Sequence, residues 1–450
     1  MKPHIRVPWR VLPLLALAAG TAAHAHAGLP ETSNVTVRRG HPEDYFVGAT
    51  FGAVISRDNG QTFRWICPQA MGDGAWSPNA FHWREAGDIL AATGTSLLRS
   101  PDGGCSWNTH PFFQKNMWVS GLAAHPTDDR VFYAVTSKDS ISNGVYRSLD
   151  GGETWEPTSL ARLGLKLNAV AVSPVDPRRV YASGYADGRM TLFRSDDAGA
   201  TWQEQTHTLP DLLRPYDLTL TMADPTSADS LWVRVYAQGY THLMRSDDGG
   251  RTLTQVHVLS DVYVNMEVSA DGNTVWVGTI TSFFRGPRSG PLVSLPLPTG
   301  NACVLRQGDT LYGCGSTWLH DWALARSTDQ GNTWEPLFTL YGIKGPHQCP
   351  QGTPVRDLCP AVWPQLAEQL GAEPYPDGEP PPPPPPTDAG TPDAGTLDAG
   401  TPATDAGTQP PPTPSKPSGG CGAAPGNALA PLLLLLSLTS WRRGRRRSNR

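Results

Sequence analysis

Six aspartates are the residues whose type and spacing could do chemistry. Each sits in the pattern Ser-x-Asp-x-Gly-x-Thr-Trp or a close variant. The copies are Ser56, Asp58, Gly60, Thr62, Phe63; Ser100, Asp102, Gly104, Ser106, Trp107; and Ser148, Asp150, Gly152, Thr154, Trp155. Then come Ser195, Asp197, Gly199, Thr201, Trp202; Ser246, Asp248, Gly250, Thr252, Leu253; and Ser327, Asp329, Gly331, Thr333, Trp334. A glycosidase pairs two carboxylates across a cleft, and a calcium loop gathers several. The repeat fixes a single Asp at the same place in every copy, 44 residues or more from the next, so its spacing fits neither chemistry. It fits a tight strand-to-strand turn, in which the Asp accepts backbone N–H groups that have no ladder partner. The Gly supplies the positive φ of such a turn, and the Ser and Thr hydroxyls tie its ends. The Trp buries its indole against the neighbouring sheet with its N–H bonded. The motif is expected to staple a fold, with no catalytic residue in it.

The elements that position these turns repeat with them. Successive serines stand 44, 48, 47, 51 and 81 residues apart. The last gap is nearly two periods, and within it Phe284 to Gly290 aligns with Leu243 to Gly249 as a copy that has lost its Asp. Upstream of each turn lie two apolar strands joined by a Pro/Asp/Gly turn, as in 122–135 and 170–183. A third strand enters the motif and a fourth starts at its Trp. Four antiparallel strands every 45 residues or so is the period of a propeller blade. The expectation is all-β: a single β-propeller of seven four-stranded blades.

The repeat resembles the Asp-box (BNR) repeat of sialidases, sortilin-type receptors, xyloglucan-cleaving hydrolases and photosystem II assembly factors, over roughly residues 33 to 340. The resemblance implies the fold and is nearly silent on function, because enzymes and binders share the motif. A sialidase also needs three arginines on the substrate carboxylate, the first within Phe/Tyr-Arg-Ile/Leu-Pro, and a Tyr nucleophile with its Glu. The nearest strings are Ile5-Arg6-Val7-Pro8, at the extreme N-terminus, and Phe284-Arg285-Gly286-Pro287, at the decayed copy. The site is therefore not matched. Non-box acids such as Asp44, Glu85, Asp187, Asp217 and Glu267 leave a glycoside hydrolase, sialidase-like or polysaccharide-cleaving, as one alternative, and the resemblance to photosystem assembly factors implies an extracytoplasmic assembly factor as another.

A binding or scaffold module for a glycan or a protein fits better, since a propeller presents loops from every blade around its channel. Candidate contact aromatics in non-equivalent loops are Trp76, Trp83, Phe112, Phe113, Trp118, Tyr216, Tyr240, Trp318 and Trp322, with Phe112, Phe113 and Trp118 foremost. Arginines recur before the motifs at Arg99, Arg147, Arg194, Arg245 and Arg326. The expectation is that they cover the adjacent blade with their stems rather than form an anion-binding ring.

The termini carry addresses. A basic start, the apolar run Val11 to Ala23 and Ala25-His26-Ala27 make residues 1–27 a secretory signal. Residues 28–345 form the propeller and 346–370 a Cys-containing extension. Residues 371–419, with the prolines 380–386 and four Asp-Ala-Gly triplets, have nothing to bury and form a disordered stalk. Residues 420–450 hold a hydrophobic helix closed by arginines from Arg442 onward. This tail resembles the MYXO-CTERM sorting signal of myxobacteria, which implies a sorting protease acting near Cys421, transient membrane insertion of the helix, and anchoring at the surface of a Gram-negative outer membrane. Seven cysteines in an exported chain predict disulfides. Six cysteines allow 15 connectivities. Cys303–Cys314 flanking an expected hairpin, Cys349–Cys359 close together in a Pro/Gly-rich stretch, and Cys67–Cys105 after equivalent strands of successive repeats are candidate pairs among them. No zinc spacing and no cofactor motif occurs, and a net charge of −5 without a basic patch in the globular part argues against nucleic acid.

Overall fold

The computed structural model describes residues 30–376, apart from 73–79, 114–116, 210–212, 214–215 and 296–302. The expected signal peptide, the stalk beyond residue 376, the sorting helix, Cys421 and Trp76 lie outside the described residues. Residues 371–376, expected as the start of the stalk, instead pack onto the globular part: Ala372 is buried and the Glu373 carbonyl accepts the Trp363 indole N–H. Among the described residues no helix is long and apolar enough to cross a membrane.

The strands make seven four-stranded antiparallel sheets in chain order. Blade 1 is β1 (Thr32–Arg38), β2 (His41–Ala49), β3 (Gly52–Ser56) and β4 (Arg64–Ile66). Blade 2 is β5 (Ala80–Trp83), β6 (Ile89–Ala92), β7 (Leu97–Ser100) and β8 (Asn108–Thr109). Blade 3 is β9 (Val119–Ala124), β10 (Phe132–Thr136), β11 (Asn143–Ser148) and β12 (Glu156–Arg162). Blade 4 is β13 (Leu165–Val172), β14 (Val180–Ala186), β15 (Arg189–Ser195) and β16 (Gln203–Gln205). Blade 5 is β17 (Asp217–Ala223), β18 (Leu231–Ala237), β19 (Tyr240–Ser246) and β20 (Thr254–Leu259). Blade 6 is β21 (Tyr263–Val268), β22 (Thr274–Thr279), β23 (Phe283–Pro287) and β24 (Val293–Leu295). Blade 7 is β25 (Val304–Gln307), β26 (Thr310–Cys314), β27 (Leu324–Ser327) and β28 (Glu335–Phe338).

The second strand of each blade is packed on both faces, which is why it reads as a continuous apolar run, as in Phe132–Thr136. First strands pack on one another around the axis, and their bulges aim amides across the seams. At one bulge Asn168 donates from Nδ2 to the Leu218 carbonyl of blade 5 at 2.9 Å. Asn265 donates to the Val304 carbonyl of blade 7 at 2.7 Å and accepts the Val304 N–H at 2.8 Å.

The decayed copy is blade 6, but its register differs by one residue from the alignment drawn in the sequence. Arg285 pairs with Trp276 as Arg245 pairs with Trp232, so Gly286 stands where the motif serine would be. With no carboxylate in this turn, Arg288 reaches back to blade 5 and binds Asp224 at 2.6 Å and Asp247 at 3.0 Å.

The ring is closed by the chain beyond blade 7. Residues 344–347 lie along β4 as an extra parallel edge: Lys344 N–H donates to the Phe63 carbonyl, Trp65 N–H to Gly345, and His347 N–H to Trp65, all at 2.7–2.8 Å. Helix α1 (Thr317–His320) is a single turn in blade 7, and α2 (Pro354–Leu370) follows the edge segment. Pro354 starts α2, and Gly371, with φ 69°, ends it. Its buried stripe Val355, Cys359, Trp363, Ala367 and Leu370 joins the core of blade 1.

Helix α2 is not foreseen from the sequence, and two of the expected disulfides pair otherwise. Cys303–Cys314 pairs as expected. Cys67 joins Cys359 and Cys105 joins Cys349, so both bridges tie the extension to blades 1 and 2. Proximity in sequence misled because the ring brings the ends of the propeller together.

Candidate functional site

In an antiparallel meander the first-to-second and third-to-fourth turns emerge on one face, and the remaining connections on the other. The Ser-Asp-Gly turns are third-to-fourth connections, so they share the box face. Their geometry is repetitive. In blade 3 the Ser148 hydroxyl donates to Asp150 at 2.8 Å and accepts the Gly152 N–H at 2.8 Å. Asp150 also accepts the Thr154 N–H at 2.9 Å and the Thr154 hydroxyl at 2.5 Å. The same bonds recur at Asp58, Asp197 and Asp329. Asp102 and Asp248 accept the N–H groups of Ser106 and Thr252. The Thr333 hydroxyl and N–H hold the Asp329 carboxyl down at about 2. Burial pushes Asp248 up, but the Thr252 and Ser246 bonds outweigh it and bring it to about 2 as well. Carboxylates spent on their own turn and ionised throughout ordinary pH are poor proton donors.

The turns also join blades. A Cβ on Gly104 would lie 2.8 Å from Ile66 of blade 1, and one on Gly152 would lie 2.8 Å from Leu90 of blade 2. Gly60, Gly199, Gly250 and Gly331 face Leu337, Tyr133, Leu192 and Phe283 of the preceding blade at a looser 3.2–3.5 Å. Every one of these glycines is needed for its positive φ, and at Gly104 and Gly152 the close approach needs it as well. The indole N–H groups of Trp107, Trp155, Trp202 and Trp334 donate to the carbonyl of their own motif glycine. The preceding arginines bridge forward: Arg147 donates to the Ala198 carbonyl at 3.1 Å and Arg245 to Arg288 at 3.0 Å. Arg99 pairs with Glu153 and Arg194 with Asp229, each on the next blade. Arg326 pairs with Glu335 of its own blade. These guanidiniums are committed, which leaves no ring of open anion-binding donors.

A cavity of about 540 Å³ opens on the box face between blades 1, 2, 3 and 7. Its cations are already paired, Arg38 with Asp44 at 3.1 Å and Arg84 with Asp88 at 2.9 Å. Arg39 donates to the carbonyls of His125 and Pro126. Desolvation brings His82 down to about 4, so that it stays neutral.

The far face is different in character. Within the seven blades the exposed aromatics Phe112, Trp118, Tyr185, Tyr236, Tyr240 and Trp318 all lie on fourth-to-first or second-to-third connections or at the strand ends that meet them; Tyr341 and Tyr375, also exposed, follow blade 7. Of the residues singled out from sequence, Phe112 (38% exposed) and Trp118 (44%) reach this surface, as do Tyr240 and Trp318. Phe113 does not: it is 1% exposed and packs edge-on against Tyr146 and Trp155. Trp83 and Trp322 are likewise buried, and Tyr216 is half-buried with its hydroxyl 2.9 Å from His207.

A second cavity, about 270 Å³, opens on the far face between blades 5 and 6. Asp217, Thr219, Arg234, Tyr236, Thr241, Asp261 and Tyr263 contribute to its lining. The sequence reading missed Arg234 and Tyr236. Their signal was present, because they alternate within the otherwise buried strand Leu231–Ala237 and so mark its open side. Of the non-box acids singled out from the sequence, only Asp217 lines this cavity. Asp44 is paired with Arg38, Asp187 with Arg162 at 2.6 Å, and Glu85 lies by the opposite cavity, its carbonyl accepting from Arg38. Glu267 sits on β21 inside the ring, where desolvation raises it to about 7 against the opposing N–H and charge of Arg306.

Neither a protein-family model nor a curated protein sequence matches the chain. Solved structures do match its fold. A GH74 xyloglucanase from Xanthomonas campestris aligns over 67% of this chain and 59% of its own, at 14% identity and a TM-score of 0.43. YCF48 from Cyanidioschyzon merolae aligns over 63% of this chain and 92% of its own, at 13% identity and a TM-score of 0.46. A puromycin-hydrolysing peptidase from Mycobacterium tuberculosis aligns over 68% and 53%, at 14% identity and a TM-score of 0.48. The chain spans little more than half of that xyloglucanase and of that peptidase. The seven-bladed propeller itself is read from the sheet topology of this chain.

Proposed function

We propose that the chain is a secreted, cell-surface-anchored binding module, non-catalytic, whose far face holds a glycan. The observation that carries this reading is the segregation of the exposed aromatic rings of the seven blades onto one face, with the Ser-Asp-Gly turns on the other. The rings are interspersed with polar groups: Lys138 lies 5.8 Å over the Trp118 ring, and Lys166 pairs across the sheet with Tyr185. Separate rings with hydroxyl and charged neighbours suit the alternating apolar and hydroxyl faces of sugars. A protein-docking surface concentrates its apolar groups at the centre of one patch. The Asp-box resemblance fits a structural role for the repeated aspartates. The MYXO-CTERM-like tail, with Cys421 as the landmark for a sorting protease, supplies the anchor and the surface location in this reading. The test is a binding screen of the purified chain against soluble polysaccharides and isolated surface proteins. Saturable polysaccharide capture supports the module. Hydrolysis of a captured polysaccharide, abolished by replacing one non-box carboxylate, sinks it in favour of a glycoside hydrolase.

A further inference from the structure

The cavity between blades 5 and 6 has a composition that the ring does not need. Arg234 on β18 forms no ion pair among the described residues; its guanidinium lies 5.5 Å over the Tyr263 ring. Arg147, Arg179, Arg245 and Arg285 are each tied to a carboxylate or carbonyl of an adjacent blade, so an arginine in a cavity without such a tie stands apart. Opposite it across the sheet stands Thr219, and opposite Tyr236 stands Asp217, so four polar side chains line one open stretch of two paired strands. Tyr236 is 55% exposed at the rim. Asp261 is a wall rather than a free acceptor, because its carboxylate is occupied by the N–H of Val262 and by the N–H and hydroxyl of Thr281.

From this arrangement we infer that the cavity is a subsite for one neutral pyranose ring of a polysaccharide, with Tyr236 as the stacking platform and Arg234, Asp217 and Thr219 as the hydroxyl-binding groups. Its size supports a single ring, since 270 Å³ lies just below the range of pockets that take drug-sized ligands. The polar set supports neutrality. An arginine and an exposed carboxylate side by side offer both donors and acceptors, which a sugar's paired hydroxyls use together, whereas a carboxylate ligand would meet Asp217 as a like charge. The equivalent place in blade 4 holds Tyr185 opposite Lys166, a second ring at the same register one blade away. An extended chain seated at Tyr236 could thus continue over Tyr185.

This inference rests on the glycan-binding reading, and the experiment separates the two. The full chain, its Arg234→Ala and Tyr236→Ala variants, and a box-face control, Leu149→Ser, are titrated with a mixed-linkage β-glucan, a galactomannan, a dextran and an alginate. Thermal melting of each variant verifies the fold. The expected result is binding to at least one neutral polysaccharide, weakened roughly tenfold or more by either cavity variant and unchanged by Leu149→Ser. Neutral polysaccharide binding that both cavity variants keep overturns the subsite and leaves the glycan reading standing. Binding confined to alginate overturns the neutral-ring assignment. No binding by the unaltered chain to any of the four overturns the subsite and the glycan reading together.

Discussion

Cys67, just past the outer strand of blade 1, is bonded to Cys359 on α2, 292 residues later, with their Cα atoms 5.4 Å apart. Cys105 of blade 2 is bonded to Cys349 across 244 residues. Every blade is built from consecutive strands, so no strand is exchanged between the first and last blades. The extension does the work that strand exchange would otherwise do: it adds an edge to β4 and fixes it covalently. Cross-links that close such long loops remove much of the freedom of the unfolded chain. Replacing both Cys67 and Cys359 by Ser is expected to cost about 2–5 kcal/mol, read as a fall in the denaturant midpoint. Replacing Cys303 and Cys314, which close an 11-residue loop, is expected to cost less. Equal losses from the two pairs would contradict the seam-closing role.

The serine of each turn is buried. Ser148 is 1% exposed and holds the Gly152 N–H as well as Asp150. Ser148→Ala leaves that N–H unpaired inside the seam with blade 2, and is expected to cost about 1–3 kcal/mol. The check is chemical denaturation together with polysaccharide titration. Stability falls and affinity at the far face is unchanged, since the turn lies on the opposite face. Loss of affinity without loss of stability would give the motif a direct role in binding.

Glu267 gives the propeller a definite pH dependence. Its carboxyl titrates near 7 in the folded ring and near the ordinary value of 4.5 when unfolded. Between those values the folded state holds a proton that the unfolded state has released, so stability falls as pH rises through this window. Glu267→Gln keeps the shape and removes the charge. It is expected to raise stability at pH 8 by about 1–3 kcal/mol and to change it little at pH 4, where the native carboxyl is already protonated. Urea titrations of both proteins at the two pH values decide the matter. The same increment at both values would show that the effect is not ionisation.

Much of the ring was legible because each blade encodes itself locally. The serine spacing, the doubly buried second strand and the motif turn are all written within some 45 residues, including the blade whose Asp is gone. The clasp was illegible for the opposite reason. Pro360 and Pro364 read as helix breakers, yet both sit inside α2, and its buried stripe has meaning only against Ala70, Met71 and Trp65, far away in sequence. The far-face cavity falls between these cases. The alternation of Arg234 and Tyr236 marks an open side, but that it opens beside Tyr263 depends on how blades 5 and 6 meet.

Phe112 and Phe113 show how adjacent residues of one type part company, and they supply the last prediction. Both lie in a single 3-10 turn, Pro111–Phe113, whose geometry sends neighbouring side chains in different directions. Phe113 is enclosed by Tyr146, Trp155 and Leu122 in the core of blades 2 and 3, whereas Phe112 lies partly on the surface with Trp118 beyond it. Phe113→Ala is expected to destabilise the chain by about 3–5 kcal/mol through the cavity it leaves. Trp118→Ala is expected to stay within about 0.5 kcal/mol of the native stability, as exposed positions usually do. If the far face binds polysaccharide as proposed, Trp118→Ala weakens that binding in a protein of native stability. Phe113→Ala, assayed well below its melting temperature, leaves it intact. The reverse assignment, with Phe113 governing affinity and Trp118 governing stability, would place the ligand inside the blade seam and refute the surface reading.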